Sequence, residues 1–246
     1  MKSLKKKNIR LSITIALLLA VTVLGSSGVT WVDRAEAAIS LPSWCPSVPT
    51  VPTIPTVPTI PTFPDVPASY WAFEYIETLA YYGYVAGYVD GNYHPTDAVN
   101  RAQMAVFIER AAQGTTYMPT VPTVPPFPDV GPSDWFYGWV AAAKDDGYVA
   151  GLVDGNYHPL DPVNRAQSAV FLTGLHQGTS FVPTVPSVPP YPDVPVLFWA
   201  SSWINQVTQD ELMSGLVDGN FWPTNPLNRA QIAVVLTNAL CLPGFP

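Results

Sequence analysis

Three arginines, Arg101, Arg165 and Arg229, recur at equal spacing, each preceded by Asn and followed by Ala-Gln. A guanidinium presents a planar fork of donors that suits a carboxylate or phosphate, and a helix start offers free backbone N–H groups to the same kind of ion. Asn100-Arg101-Ala102-Gln103, with its copies Asn164 to Gln167 and Asn228 to Gln231, reads as such a start. Asn is a favoured N-cap, and Gln three residues on closes a reciprocal capping box. A cation in the first turn opposes the helix dipole, so something else must favour it there. Two readings stay open. Arg101 pairs with an acid such as Asp65 or Asp90 and locks the copies together, or arginine and helix start form an anion site.

Aromatic rings are the second chemical resource. Trp71, Trp135 and Trp199 occupy one repeated position early in a helix, where packing in the core ranks ahead of display as a flat platform for a sugar ring. Tyr88 and Trp222 are the candidates for exposed rings. His94 and His158 are repeat-equivalent, but the third copy has Trp222 there, so metal ligation and proton transfer give way to a packed aromatic position. No Cys/His cluster has zinc spacing, no Gly-x-Ser-x-Gly is present, and Asp90-Gly91-Asn92 lacks the ligand alternation of a calcium loop. The reading is of a protein that is not an enzyme and has no cofactor or metal.

The elements that carry these residues follow from shifting the chain against itself. Phe63-Pro64-Asp65-Val66 falls on Phe127 to Val130 and on Tyr191 to Val194, and the same shift superposes the tryptophans and the arginines without a gap. Within a copy, Ser69 is expected to cap a helix from about Tyr70 to Tyr82, with Trp71, Tyr75, Ile76 and Leu79 on its buried face and Gly83 as left-handed C-cap. Val89-Asp90-Gly91-Asn92-Tyr93 predicts a tight turn between two short extended pieces. The second helix then buries Ala105, Ile108 and Ala112. Glu211 replaces Gly83 and Gly147 in the third copy, so that helix is expected to end a turn later, near Gly215. Each unit is helix, loop, helix, too small to bury both helices alone, so the copies should pack on one another.

The repeats span 63–114, 127–178 and 191–241. A proline-rich spacer covers 38–62, linkers cover 115–126 and 179–190, and a short tail covers 242–246. Prolines recur every third residue in these stretches, which predicts polyproline II rods that space the units, with three beads on a string as the alternative to one bundle. Residues 1–37 have the order of a secretory signal: a basic start, a run of about fifteen apolar or small residues, and small residues around Ala37. That run is short for a membrane span, and cleavage leaves none. Export permits a disulfide between Cys45 and Cys241, one of the open options for these two thiols, and it would close a loop worth about 4–5 kcal/mol. Net charge is −7, and beyond residue 37 only five cations remain, Arg101, Arg110, Lys144, Arg165 and Arg229. So acidic a chain is excluded from nucleic-acid binding, which draws its affinity from many cations.

Phe63-Pro64-Asp65-Val66, Trp71, Gly87, Asp90-Gly91-Asn92-Tyr93-His94-Pro95 and Asn100-Arg101-Ala102-Gln103 closely resemble the S-layer homology domain, three times over. The resemblance implies a mainly α fold, three helix-loop-helix repeats packed as a pseudo-threefold bundle and joined by the polyproline II linkers. It implies grooves that bind an anionic, often pyruvylated, secondary cell-wall polysaccharide, and a secreted protein of the cell wall or surface layer. Carried over, the ligand set is Arg101, Arg165 and Arg229 with Asn100, Asn164, Asn228, Gln103, Gln167 and Gln231, joined by Trp71, Trp135 and Trp199. The family has Thr and Glu where this chain has Asn and Gln, so the acid beside each arginine is absent. Partners so implied are a wall polymer and surface-layer proteins; the alternative function is a structural component whose repeats assemble with other chains.

Overall fold

Each second helix begins where its Asn caps it. In the computed structural model, which describes residues 60–242, α2 (Arg101–Gln113), α4 (Arg165–Gln177) and α6 (Arg229–Ala239) all start at the expected arginine. Asn100, Asn164 and Asn228 each accept from the backbone N–H three residues on, and Gln103, Gln167 and Gln231 each accept the cap residue's own N–H. The predicted signal, Cys45 and the spacer up to residue 59 lie outside the described residues. Cys241 is disulfide-bonded.

The first helices are shorter than expected. α1 (Phe73–Tyr81), α3 (Tyr137–Asp145) and α5 (Ser201–Gln209) have no side-chain cap, and Ser69 does not cap α1. Two successive turns precede α1 instead, closed by Tyr70 N–H to Pro67 O and Phe73 N–H to Tyr70 O. Gly83 and Gly147 take the left-handed conformation just past α1 and α3, as predicted. Glu211 does the same at φ 57°, so α5 ends in register with its siblings rather than a turn later. The Asp-Gly-Asn segments make tight turns, Tyr88 N–H bonding to Asn92 O, but no strand ladder continues from them among the described residues. On α2, Ala105 and Ile108 are buried, whereas Ala112 is exposed.

Copies join in a closed cycle. α2 packs on α3, α4 on α5, and α6 on α1, so every second helix meets the first helix of the next copy. Beside the second-helix starts, Val163 donates to Val99 O, Leu227 to Val163 O and Val99 to Leu227 O, at 2.8, 2.9 and 2.9 Å. All three side chains are fully buried, so this ring of amides lies in the core. One apolar cluster runs through all three copies, from Ile76 and Ile108 to Leu172, Ile204 and Leu236. The beads-on-a-string alternative is thereby excluded.

The linkers do not hold the copies apart; they lie against them. Tyr137 Oη donates to Pro122 O at 3.1 Å, Lys144 Nζ donates to Pro126 O, and a Cβ on Gly138 would stand 3.3 Å from Pro119 Cγ. Ahead of the first copy, Thr62 donates through N–H and Oγ1 to the buried carboxylate of Glu77 on α1, at 2.8 and 2.6 Å. The half-buried prolines 119 and 122 leave Met118, Val121 and Val124 on the outer edge, as three residues per turn require.

Candidate ligand grooves

The helix starts that carry the arginines are already occupied. Arg101 N–H donates to Asp161 O and Ala102 N–H to Pro159 O; Arg165 and Ala166 donate to Asn225 and Pro223, and Arg229 and Ala230 to Asp97 and Pro95. Gln103 N–H goes to the Asn100 cap. A second helix therefore docks end-on against the loop of the next copy, and the expected anion site at free N–H groups does not form.

The guanidinium groups continue that docking. Arg101 donates from Nε to Tyr157 O at 2.6 Å and from Nη2 to Ala150 O at 2.9 Å. Arg165 makes the same pair of bonds to Phe221 and Ser214, and Arg229 to Tyr93 and Ala86. Each lies over an aromatic ring of the neighbour, Tyr157, Phe221 or Tyr93, 4.3–4.6 Å from the centroid. The arginines are only 4–5% exposed. Pairing with Asp65 or Asp90 is thus corrected. Asp65 accepts the backbone N–H groups of Tyr93 and His94, holding the loop that the neighbouring arginine reads. Carbonyl oxygens, not acids, offset the cation against the helix dipole, and desolvation lowers the Arg165 pKa.

Asp90, Asp154 and Asp218 serve their own turns. Asp154 accepts the backbone N–H of Asn156 and then the ring of His158, which together pull its carboxyl down to about 2. His94 and Trp222 reach Asp90 and Asp218 in the same way, each at 2.7 Å. What the position requires is a ring nitrogen carrying a proton, which His and Trp share. It is not the packed aromatic position expected, since Trp222 is 41% exposed and the histidines are partly so.

The tryptophans overturn their expectation most plainly. Trp71, Trp135 and Trp199 are 60%, 64% and 59% exposed, because they sit in the turn before the first helix rather than on its buried face. Trp71 and Trp135 stand instead beside grooves between copies. One groove, of about 470 Å³, is lined by Arg229 from the third copy, Asn100, Gln103, Arg110 and Tyr88 from the first, and Trp135 from the second. Another, of about 420 Å³, is lined by Arg165 from the second copy, Glu211 and Gln231 from the third, and Trp71 from the first. Residues distant in sequence are thus gathered from three copies at once. Gln103 Nε2 donates to Tyr88 Oη at 2.8 Å, and Arg229 lies 4.7 Å from the Tyr88 ring centroid.

Arg110 escaped the sequence reading as a groove residue. The signal was available, because it is a cation off the repeat pattern, with Gly174 and Asn238 in its place. The clasping tyrosines Tyr93 and Tyr157 escaped as well. Among the described residues no group of three or more His, Cys, Asp or Glu side chains is placed to hold a metal, and no helix is long and apolar enough to cross a membrane.

A triplicate helix-loop-helix bundle with grooves between its copies defines the class, and sequence comparison gives it a family. A model of the S-layer homology domain matches residues 62–105, 126–169 and 198–233, together half of the chain. The chain belongs to that family, and it is a protein of the cell surface. It is similar to cell surface glycoprotein 1 of Acetivibrio thermocellus, 28% identical over 64% of this chain and 7% of that protein. It is also similar to an endoglucanase of a Bacillus species, 29% identical over 71% of this chain and 18% of the enzyme. S-layer protein EA1 of Bacillus anthracis is 30% identical over 46% of this chain and 13% of its own length. The chain spans less than a fifth of the curated relatives it matches.

Proposed function

We propose that the protein is a non-catalytic module that holds itself, and any chain joined to it, to the cell wall by binding an anionic, carboxylate-bearing wall polysaccharide in the grooves between its copies. The observation that carries this reading is the convergence in one groove of a buried guanidinium, amide side chains and an exposed tryptophan contributed by three different copies. Arginine commits Nε and Nη2 to backbone carbonyls, so the edge at Nη1 is what a groove offers to a carboxylate. Tryptophan supplies the flat apolar face on which a sugar ring stacks. The same arginines weld the copies together, so one residue serves both assembly and recognition. Similarity to S-layer and cell-surface proteins supports the same location and role.

The test must separate binding from folding. Replacing the arginines removes the joints between copies, whereas Trp71, Trp135 and Trp199 are exposed and their replacement by Ala spares the core. Wild type should sediment with purified sacculi that retain their secondary polymer and not with stripped sacculi, and the folded triple Trp variant should lose sedimentation at least tenfold. Equal sedimentation with stripped sacculi, or full binding by the variant, would overturn the reading.

A further inference from the structure

Threefold repetition does not make the grooves equal. The groove at Trp135 carries two cations, Arg229 and Arg110, and no acid among its lining residues. The groove at Trp71 has both Glu211 and Arg165 in its lining, for no net formal charge, and has Asn238 in place of Arg110 and Leu216 in place of Tyr88. By repeat position, the third set has Arg101 with Leu152 and Gly174.

Resting on the wall-binding reading above, we infer that the groove between Tyr88 and Trp135 is the principal anion site of the chain and that Arg110 is its specificity-determining residue. Arg110 lines the groove with Arg229 and no acid, and its Nε is buried with no hydrogen-bond partner, so nothing among the groove's lining residues neutralises this cation. Its guanidinium lies 5.4 Å from the Trp139 ring centroid, so packing on the second copy holds the cation at the groove without neutralising it. Opposite it, Arg229 is fixed by its two carbonyls and stacked on Tyr88, whose hydroxyl is in turn held by Gln103. The site therefore presents two pre-positioned guanidinium groups, a phenol and an indole face. That combination suits an acidic sugar unit bearing a carboxylate and discriminates against a neutral one.

The experiment exchanges the residues that the repeats themselves supply. Arg110→Asn installs the third copy's side chain in the first, and Asn238→Arg does the reverse. Binding of full-length protein is measured to sacculi with native secondary polymer and to the same sacculi after their carboxyl groups are activated with carbodiimide and reduced to alcohols. Arg110→Asn is expected to weaken binding to native sacculi at least tenfold while the variant still unfolds cooperatively above the assay temperature, and Asn238→Arg to strengthen it. Both differences should vanish on carboxyl-reduced sacculi. Wild type that binds while Arg110→Asn binds equally well overturns the assignment of Arg110 and leaves the anchoring role standing. Wild type that binds native and reduced sacculi alike overturns the carboxylate. Wild type that binds neither stripped nor native sacculi overturns this inference together with the function it rests on.

Discussion

Arg101 and Tyr157 clasp each other across the boundary between the first and second copies. The Tyr157 hydroxyl donates to Arg101 O at 2.8 Å while Arg101 Nε donates to Tyr157 O at 2.6 Å, and the guanidinium lies 4.5 Å from the centroid of the same ring. Tyr93 and Arg229 repeat the clasp between the first and third copies. A boundary built this way depends on the fork of the guanidinium. Arg101→Ala leaves two buried or partly buried carbonyls without their donor and should cost about 3 kcal/mol or more in urea unfolding. Arg101→Lys, with one compact charge in place of the fork, should recover less than half of that loss. A neutral effect of Arg101→Ala on the unfolding midpoint would refute the joint.

At the third boundary the hydroxyl is missing. Phe221 stands where Tyr93 and Tyr157 do, its carbonyl still accepting from Arg165 Nε at 2.6 Å but its ring returning nothing to the Arg165 carbonyl. Phe221→Tyr should complete the clasp and raise stability by about 1 kcal/mol, the ordinary worth of one hydrogen bond, and Tyr157→Phe should lower it by a similar amount. Calorimetric melting of the two variants beside wild type tests the pair, and a melting point lowered by Phe221→Tyr would mean that the ring has no room for the extra oxygen.

Glu109 gives the boundary between α2 and α3 a pH dependence. Its side chain is fully buried, where Thr173 and Thr237 at the equivalent positions carry hydroxyls that donate to Ala169 O and Ala233 O. Burial, and then the charge of Asp146 at the end of α3, raise the Glu109 pKa from 4.5 to about 7. The folded state therefore holds this proton more tightly than the unfolded chain. Its contribution is fully present below about pH 4.5 and is lost as pH rises through about 7, a loss of roughly 3 kcal/mol. Glu109→Thr should remove that slope and raise the melting temperature at pH 8 more than at pH 5. Parallel pH profiles for the variant and wild type would dismiss the assignment.

The parts of this architecture that sequence makes legible are those fixed by neighbours along the chain. The Asn100 to Gln103 capping box is a contact over three residues, and it holds in all three copies. Gly83 marks a helix end for the same local reason. The exposure of Trp71 is not legible, because it depends on two turns that delay α1 by about three residues and so rotate the ring off the buried face. The partners of Arg101 are hidden for a different reason. They are backbone carbonyls of Tyr157 and Ala150, and a carbonyl leaves no signature in residue type. Groove composition is hidden too, since Arg229, Tyr88 and Trp135 meet only once the cycle has closed.

Glu211 links the stability of the third copy to the charge of its groove. It holds φ 57° where Gly83 and Gly147 stand at φ 81°, and a residue with a Cβ in that region costs about 1 kcal/mol relative to glycine. It also lines the groove at Trp71, adding one acid to a lining that includes Arg165. Glu211→Gly should therefore raise the melting temperature and, by removing the opposing charge, strengthen binding to carboxylate-bearing sacculi. The two gains have separate origins and can be separated: Glu211→Asn, which tolerates the left-handed region and carries no charge, should give most of both, while Glu211→Asp should recover part of the backbone strain and leave the groove charge as it is. Wall binding that is unchanged in Glu211→Gly and Glu211→Asn, with both variants more stable, would show that the Trp71 groove takes no part in holding the wall and that the strain at Glu211 concerns the fold alone.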